Sequence, residues 1–143
     1  MKPASRLVAL RLVCFMVPCL LAFWPTSIEA SHETKEVNTI TADRVKLLLE
    51  AGEKPVLIDL RPVKEFKQKR LPGARSIPMT EVHKRLEEIP RAGRVVLYST
   101  TPRNEIIDEV YQYLDDQGYR NVAVMVEGFQ GWVKRKYPIE SGR

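Results

Sequence analysis

Four short apolar runs recur along this chain from residue 56 onward. They are Val56-Leu57-Ile58-Asp59-Leu60, the weaker Ala74-Arg75-Ser76-Ile77-Pro78, Arg94-Val95-Val96-Leu97-Tyr98 and Val122-Ala123-Val124-Met125-Val126. Runs this short, apolar at successive positions, suit strands buried on both faces of a parallel sheet. Helical spacing separates them. Val45, Leu48 and Leu49 follow the N-cap candidate Thr41 and stop at Gly52. Val82, Leu86 and Ile89 follow Thr80 and stop at Pro90, and Ile106, Val110 and Leu114 predict one face of a helix ending at Gly118. A short basic segment, Val63 to Arg70, reads as a further helix, and residues 38–40 as a first edge strand. The order βαβαβαβ predicts a single α/β domain with a central, mostly parallel sheet flanked by helices on both faces.

The N-terminus has a different pattern. Lys2, Arg6 and Arg11 precede the uncharged run Leu12 to Trp24, which Pro25 to Ala30 follow. That layout predicts a signal peptide over 1–30, and hence a periplasmic or secreted domain. The run is shorter than the roughly 20 residues of a spanning helix, and Pro18 interrupts it. The alternative is a membrane anchor through residues 12–24 if the segment is not cleaved. Pro18 before Cys19 is a poor match to a lipoprotein signal. Residues 31–37 read as a polar linker and 38–140 as the domain.

Charge and composition narrow the function. The 143 residues are 44% hydrophobic and 29% charged, an ordinary globular balance. Removing residues 1–30 takes away three basic residues and one acidic residue, which lowers the net charge from +5 to +3. That is too little to point to nucleic acid. Cys14 and Cys19 are the only cysteines, so the domain itself has no thiol and no disulfide. With only His32 and His83 besides, no metal site and no cofactor are expected.

In open α/β sheets, ligands bind beyond the C-terminal ends of the strands. Three junctions lie there: Asp59-Leu60-Arg61, Ser99 to Glu105, and Glu127-Gly128. The middle one links a buried strand to a helix N-terminus, where free N–H groups and the helix dipole favour an anion. Ser99, Thr100 and Thr101 offer hydroxyls and Arg103 a fork of donors, with Asn104 and Glu105 completing the candidate anion-binding loop. Pro102 removes one backbone donor. The competing reading is that Thr101-Pro102 is only an N-cap followed by proline at the first helical position. Asp59 and Arg61 read as residues that brace the loops. The basic stretch Lys64, Lys67, Lys69, Arg70 reads as a solvated helix face, Glu127 as an ordinary turn residue, and Phe129 and Trp132 as packing residues.

Several of these residues fall into a known pattern. Asp59-Leu60-Arg61, Glu65-Phe66, Pro72-Gly73-Ala74, Ile77-Pro78, Gly118-Tyr119-Arg120-Asn121-Val122, Gly128-Phe129-Gln130-Gly131-Trp132 and Pro138 follow one another in the order and spacing of the rhodanese-like family. The chain resembles that family over roughly 38–140. The resemblance implies a sulfurtransferase fold. In it, a cysteine at the end of the central strand carries sulfur as a persulfide, cradled by the backbone amides of the following loop.

This chain departs from the pattern at that residue. Ser99 follows Val95-Val96-Leu97-Tyr98 where the family has its cysteine, and the distance from Ser99 to Gly118 implies that the loop Thr100 to Glu105 is about two residues longer than usual. A persulfide needs a polarizable thiolate. A serine nucleophile needs an adjacent base, and the sequence places neither histidine beside Ser99. The expectation is therefore a binding module for a small oxyanion or a protein partner, without catalytic residues. The alternatives are residual transfer using an external thiol, or a structural adaptor with an inert loop.

Overall fold

In the computed structural model, residues 35–142 are described. The expected signal peptide over 1–30 and the start of the linker lie outside the described residues. The end of the linker does not behave as a tether. Val37 is buried among the core residues beneath the longest helix, and Lys35 bonds to Asp115 and Asp116 at that helix's end.

The elements are β1 (Thr39–Ile40), α1 (Ala42–Glu50), β2 (Val56–Asp59), α2 (Val63–Gln68), β3 (Lys69–Arg70), β4 (Arg75–Ser76), two 3-10 segments (Met79–Lys84 and Leu86–Glu88), β5 (Val95–Tyr98), α3 (Glu105–Asp116), β6 (Val122–Met125), α4 (Gly128–Lys134) and β7 (Glu140–Ser141). Five strands form a parallel sheet in the order β1-β6-β5-β2-β4. Strand alternation divides the core between the two faces. Ile58, Val95, Leu97, Val122 and Val124 pack toward α3 and the 3-10 segments. Leu57, Val96, Tyr98, Ala123 and Met125 pack toward α1 and α4, with Trp132. Burial on both faces explains the unbroken apolar runs.

Local rules account for most helix ends. The Thr41 side chain accepts the Arg44 N–H and caps α1. Gly52 and Gly118 follow α1 and α3, and each helix closes with a Schellman pair: Gly52 and Glu53 donate to Leu49 and Leu48, and Gly118 and Tyr119 to Asp115 and Leu114.

Three expectations are corrected. The segment after Thr80 is not an α-helix but two 3-10 turns. Arg85 leaves helical geometry between them (φ −123°) and bonds Glu81 in one turn and Glu88 in the other. A 3-10 turn rises more per residue than an α-helix, so Val82 and Ile89 both reach the core. In α3 the inward residue is Ile107, not Ile106, which is 57% exposed. The basic segment is helical only to Gln68. Lys69 and Arg70 form β3, which pairs antiparallel with β7, and Arg70 bonds Glu140.

Asp115 ties the first described residues to α3. The Lys35 bond, then the Arg120 bond, holds its carboxyl below the ordinary range. A carboxylate depressed in the folded state stabilises above its unfolded value, and that contribution is lost as pH falls through the folded value. Asp115→Asn therefore lowers the thermal midpoint at about pH 7, and the gap from the unmodified protein narrows below about pH 4. A gap independent of pH counts against this assignment.

Candidate functional site

The connections leaving β2 and β5 diverge, one toward β4 and the other toward β6. The crevice beyond their C-terminal ends is where such sheets bind ligands. Asp59 closes β2 and stands in register with Tyr98, the last residue of β5. Both Asp59 and Tyr98 are fully buried, and Arg61 is 3% exposed.

Buried charges persist only when paired and hydrogen-bonded. Arg61 Nε lies 2.9 and 3.1 Å from the two Asp59 carboxylate oxygens, and Nη2 lies 2.6 Å from Oδ2. The Arg61 N–H donates to the same carboxylate, and Nη2 also donates to the Lys69 carbonyl. Tyr98 Oη donates to Asp59 Oδ2 at 2.6 Å and accepts the Leu71 N–H. Burial, reinforced by the Asp59 carboxylate, pushes the Tyr98 hydroxyl well above its usual range, so it stays a donor. Burial opposes the Arg61 charge, but the bonds to Asp59 raise its value overall. The guanidinium stacks 3.8 Å from the centre of the Phe129 ring. Asp59 and Arg61 thus join β2, β3, β5 and α4 beneath the loop.

Ser99 follows β5 and is half-buried. Its carbonyl accepts the Phe129 N–H at 2.7 Å, and the Thr100 carbonyl accepts the Gln130 N–H at 3.0 Å. The loop carbonyls therefore satisfy donors that a helix N-terminus leaves unpaired. Gly128 makes this approach possible. Its φ is +61°, and a Cβ there would lie 2.0 Å from the Thr101 carbonyl oxygen. On the other side, Thr100 Oγ1 donates to Glu65 Oε2 at 2.9 Å, while Arg61 Nη1 lies 3.6 Å from that oxygen.

The rest of the loop is committed to α3. Asn104, not Thr101, caps the helix: its Oδ1 accepts the Ile107 N–H and its Nδ2 donates to Thr101 Oγ1. The Thr101-Pro102 capping reading is therefore corrected. Pro102 precedes the helix by more than one residue because the loop continues to Asn104 before turning inward. The Arg103 N–H donates to the Val126 carbonyl at 2.7 Å. Its guanidinium bonds Asp108 at 2.6 and 2.9 Å. Glu105 opens α3 and is exposed.

Three loop donors, the Thr100 hydroxyl, the Arg103 N–H and the Asn104 Nδ2, are thus spent within the domain, Pro102 supplies none, and the loop's only cation is neutralised by Asp108. Glu65, Glu105 and Asp108 place carboxylates around the same loop. His83 lies on the first 3-10 segment and lines a separate cleft with Ile106 and Tyr113. Among the described residues no cluster of metal-binding side chains occurs. Glu127, read from sequence as an ordinary turn residue, accepts the Ala42 N–H and pairs with Arg135, linking α1 to α4. Sequence reasoning assigned Glu65 and Tyr98 no part in the site and Phe129 only a packing part, although it placed Gly128 in a junction at this edge. The motifs Glu65-Phe66 and Gly128-Phe129 were the available signal for Glu65 and Phe129.

The rhodanese-like domain family matches residues 41–135. A sulfurtransferase of Allochromatium vinosum is 30% identical over 103 residues, covering 72% of this chain and 94% of that protein. The thiosulfate sulfurtransferase GlpE of Glaesserella parasuis is 32% identical over 94 residues, covering 64% of this chain and 82% of that protein. Among solved structures, a thiosulfate sulfurtransferase from Pseudomonas aeruginosa superposes with a TM-score of 0.64 at 28% identity, over 75% of this chain but only 21% of that one. The rhodanese-like domain of an Anabaena protein gives a TM-score of 0.65 at 19% identity over 74% of this chain and 80% of that one, a likeness of fold.

Proposed function

This chain belongs to the rhodanese-like domain family, related to sulfurtransferases, and from that premise we propose that it binds a partner and does not transfer sulfur. One observation carries the reading: the strand that ends at the site, β5, is followed by Ser99, and no cysteine occurs after Cys19. A serine hydroxyl cannot hold sulfane sulfur as a thiolate does. Among the described residues no base is hydrogen-bonded to its hydroxyl that would make it a nucleophile of another kind.

Of the two expected ligands, a small oxyanion and a protein partner, the loop's charge favours the partner. An anion would need the Arg103 guanidinium, which Asp108 holds, and would sit beside the Glu65 carboxylate. An exposed loop, tied to α3 through Asn104 and Arg103 and to α4 through the Ser99 and Thr100 carbonyls, suits recognition by a surface. The N-terminal pattern supports an exported domain. Mass spectrometry of the protein from its native host tests this: a chain beginning near Ser31 agrees with export and cleavage, and an intact Met1 overturns cleavage.

Thiosulfate:cyanide sulfurtransferase assays test the main reading, run with and without an added small thiol. The unmodified protein shows no turnover above the uncatalysed rate. Ser99→Cys on its own stays about 10²-fold or more below the Glaesserella parasuis enzyme assayed in parallel, because losing a single preorganised donor typically costs about that much. Turnover by the unmodified protein overturns the proposal.

A further inference from the structure

We propose that the cleft between α3 and the first 3-10 segment docks an amphipathic segment of a partner protein that carries lysine or arginine beside its apolar residues. The inference rests on the reading of this domain as a partner-binding module, but not on the loss of sulfur transfer.

The cleft starts where the site loop ends. Ile106 and Tyr113 line it from α3 with Val110 between them, and Met79 and Val82 face them from the 3-10 segment. Its volume is about 290 Å³, the scale of anchoring side chains and below that of most small-molecule pockets. Ile106, Val110 and Tyr113 stand at i, i+4 and i+7, so they share one stripe of the helix. That stripe is distinct from the inward one of Ile107 and Leu114. Val110 and Tyr113 are half-buried against the core, whereas Ile106 is 57% exposed. A helix with a second apolar stripe presents the geometry of helix-in-groove recognition.

Charge selects the occupant. From Glu105 to Asp116, α3 carries Glu105, Asp108, Glu109, Asp115 and Asp116, and no basic residue. Asp108 is paired with Arg103, and Asp115 and Asp116 with Lys35. Among the described ion pairs none involves Glu105 or Glu109, and these two flank Ile106 on exposed positions. The opposite wall brings His83 to the cleft. Lys84, the exposed last residue of that segment, lines the neighbouring cleft instead, and Arg85 just beyond it is held by Glu81 and Glu88. The surface therefore combines an apolar stripe with unpaired carboxylates, and its complement is apolar with positive charge alongside.

The test uses a synthetic amphipathic helical peptide of leucine and lysine and a counterpart with each lysine replaced by glutamate. Both are titrated into the protein while backbone amide resonances are followed by NMR. The lysine peptide shifts residues 105–113 and 79–83, and added salt weakens it. The Ile106→Ser/Glu109→Lys double variant binds it at least about tenfold more weakly, and the glutamate peptide leaves the cleft resonances unmoved. Both substitutions are at exposed positions, so thermal unfolding of the variant stays close to that of the parent. The inference is overturned by equal affinity in the double variant, by shifts mapping elsewhere, or by no binding at all. It is also overturned if raising the concentration of the protein alone shifts the cleft resonances, because the occupant is then a second copy. The sulfurtransferase assay is blind to this cleft, so failure here and failure of the proposed function are read separately.

Discussion

Asp59→Ala destabilises the domain by about 3–5 kcal/mol, the cost of breaking a buried pair by removing one partner. Arg61 is 3% exposed and has Asp59 as its bidentate acceptor. The substitution leaves that guanidinium with the Lys69 carbonyl and a 3.6 Å approach to Glu65. It also removes the acceptor of the Tyr98 hydroxyl on the neighbouring strand. Domains of this size are stable by only about 5–15 kcal/mol, so the loss is a large fraction of the total. Urea unfolding reads it directly. Replacing both partners, as Asp59→Leu with Arg61→Met, returns much of the stability because no lone charge remains buried. A loss below about 1 kcal/mol in Asp59→Ala, the range of exposed pairs, shows that the network is not the brace described here.

Gly128→Ala costs about 3 kcal/mol or more and loosens the Ser99 loop. The left-handed backbone at φ +61° by itself penalises a side chain by about 1–3 kcal/mol. The added Cβ would also lie 2.0 Å from the Thr101 carbonyl oxygen and 2.6 Å from its carbon, so the loop must move. Gly73→Ala is the internal control. Its φ is +72°, but nothing lies within 4 Å of the added atom, so only the backbone penalty applies. Amide hydrogen exchange distinguishes the two. The Phe129 and Gln130 amides, bonded to the Ser99 and Thr100 carbonyls, lose protection in Gly128→Ala and keep it in Gly73→Ala. Equal behaviour of the two variants means that Gly128 does not set the loop.

The two variants separate what can be read along the chain from what cannot. The strands β2, β5 and β6 were legible because burial on both faces leaves a continuous apolar run, a signal local in sequence. Thr41, Gly52 and Gly118 were legible because caps obey local chemistry. Ile106 and Ile107 are adjacent and chemically identical, so the sequence could not say which of them faces the core. The sheet beneath α3 makes that choice. The 3-10 turns after Pro78 have apolar spacing that fits either kind of helix, and the distance to be spanned decides. The two-residue strands β3 and β7 carry no periodicity, and they form because two distant segments meet.

Within the site the same division holds. Ser99 at the end of a buried strand, the cysteine-free domain and the family resemblance all follow from residue identity and order. Sequence alone therefore determined the fold class, the position of the loop and the absence of cysteine from the domain. The state of the loop was decided only in three dimensions. Arg103 looked like a donor for an anion, and the fold gives it to Asp108 and its N–H to Val126. Glu65, thirty-odd residues earlier, reaches Thr100, and Gly128 and Phe129 arrive from the far side of α3. The reason is that hydrogen bonds and charge pairs depend on which groups become neighbours. Neighbours so distant along the chain are set by the packing of the sheet, not by any local pattern.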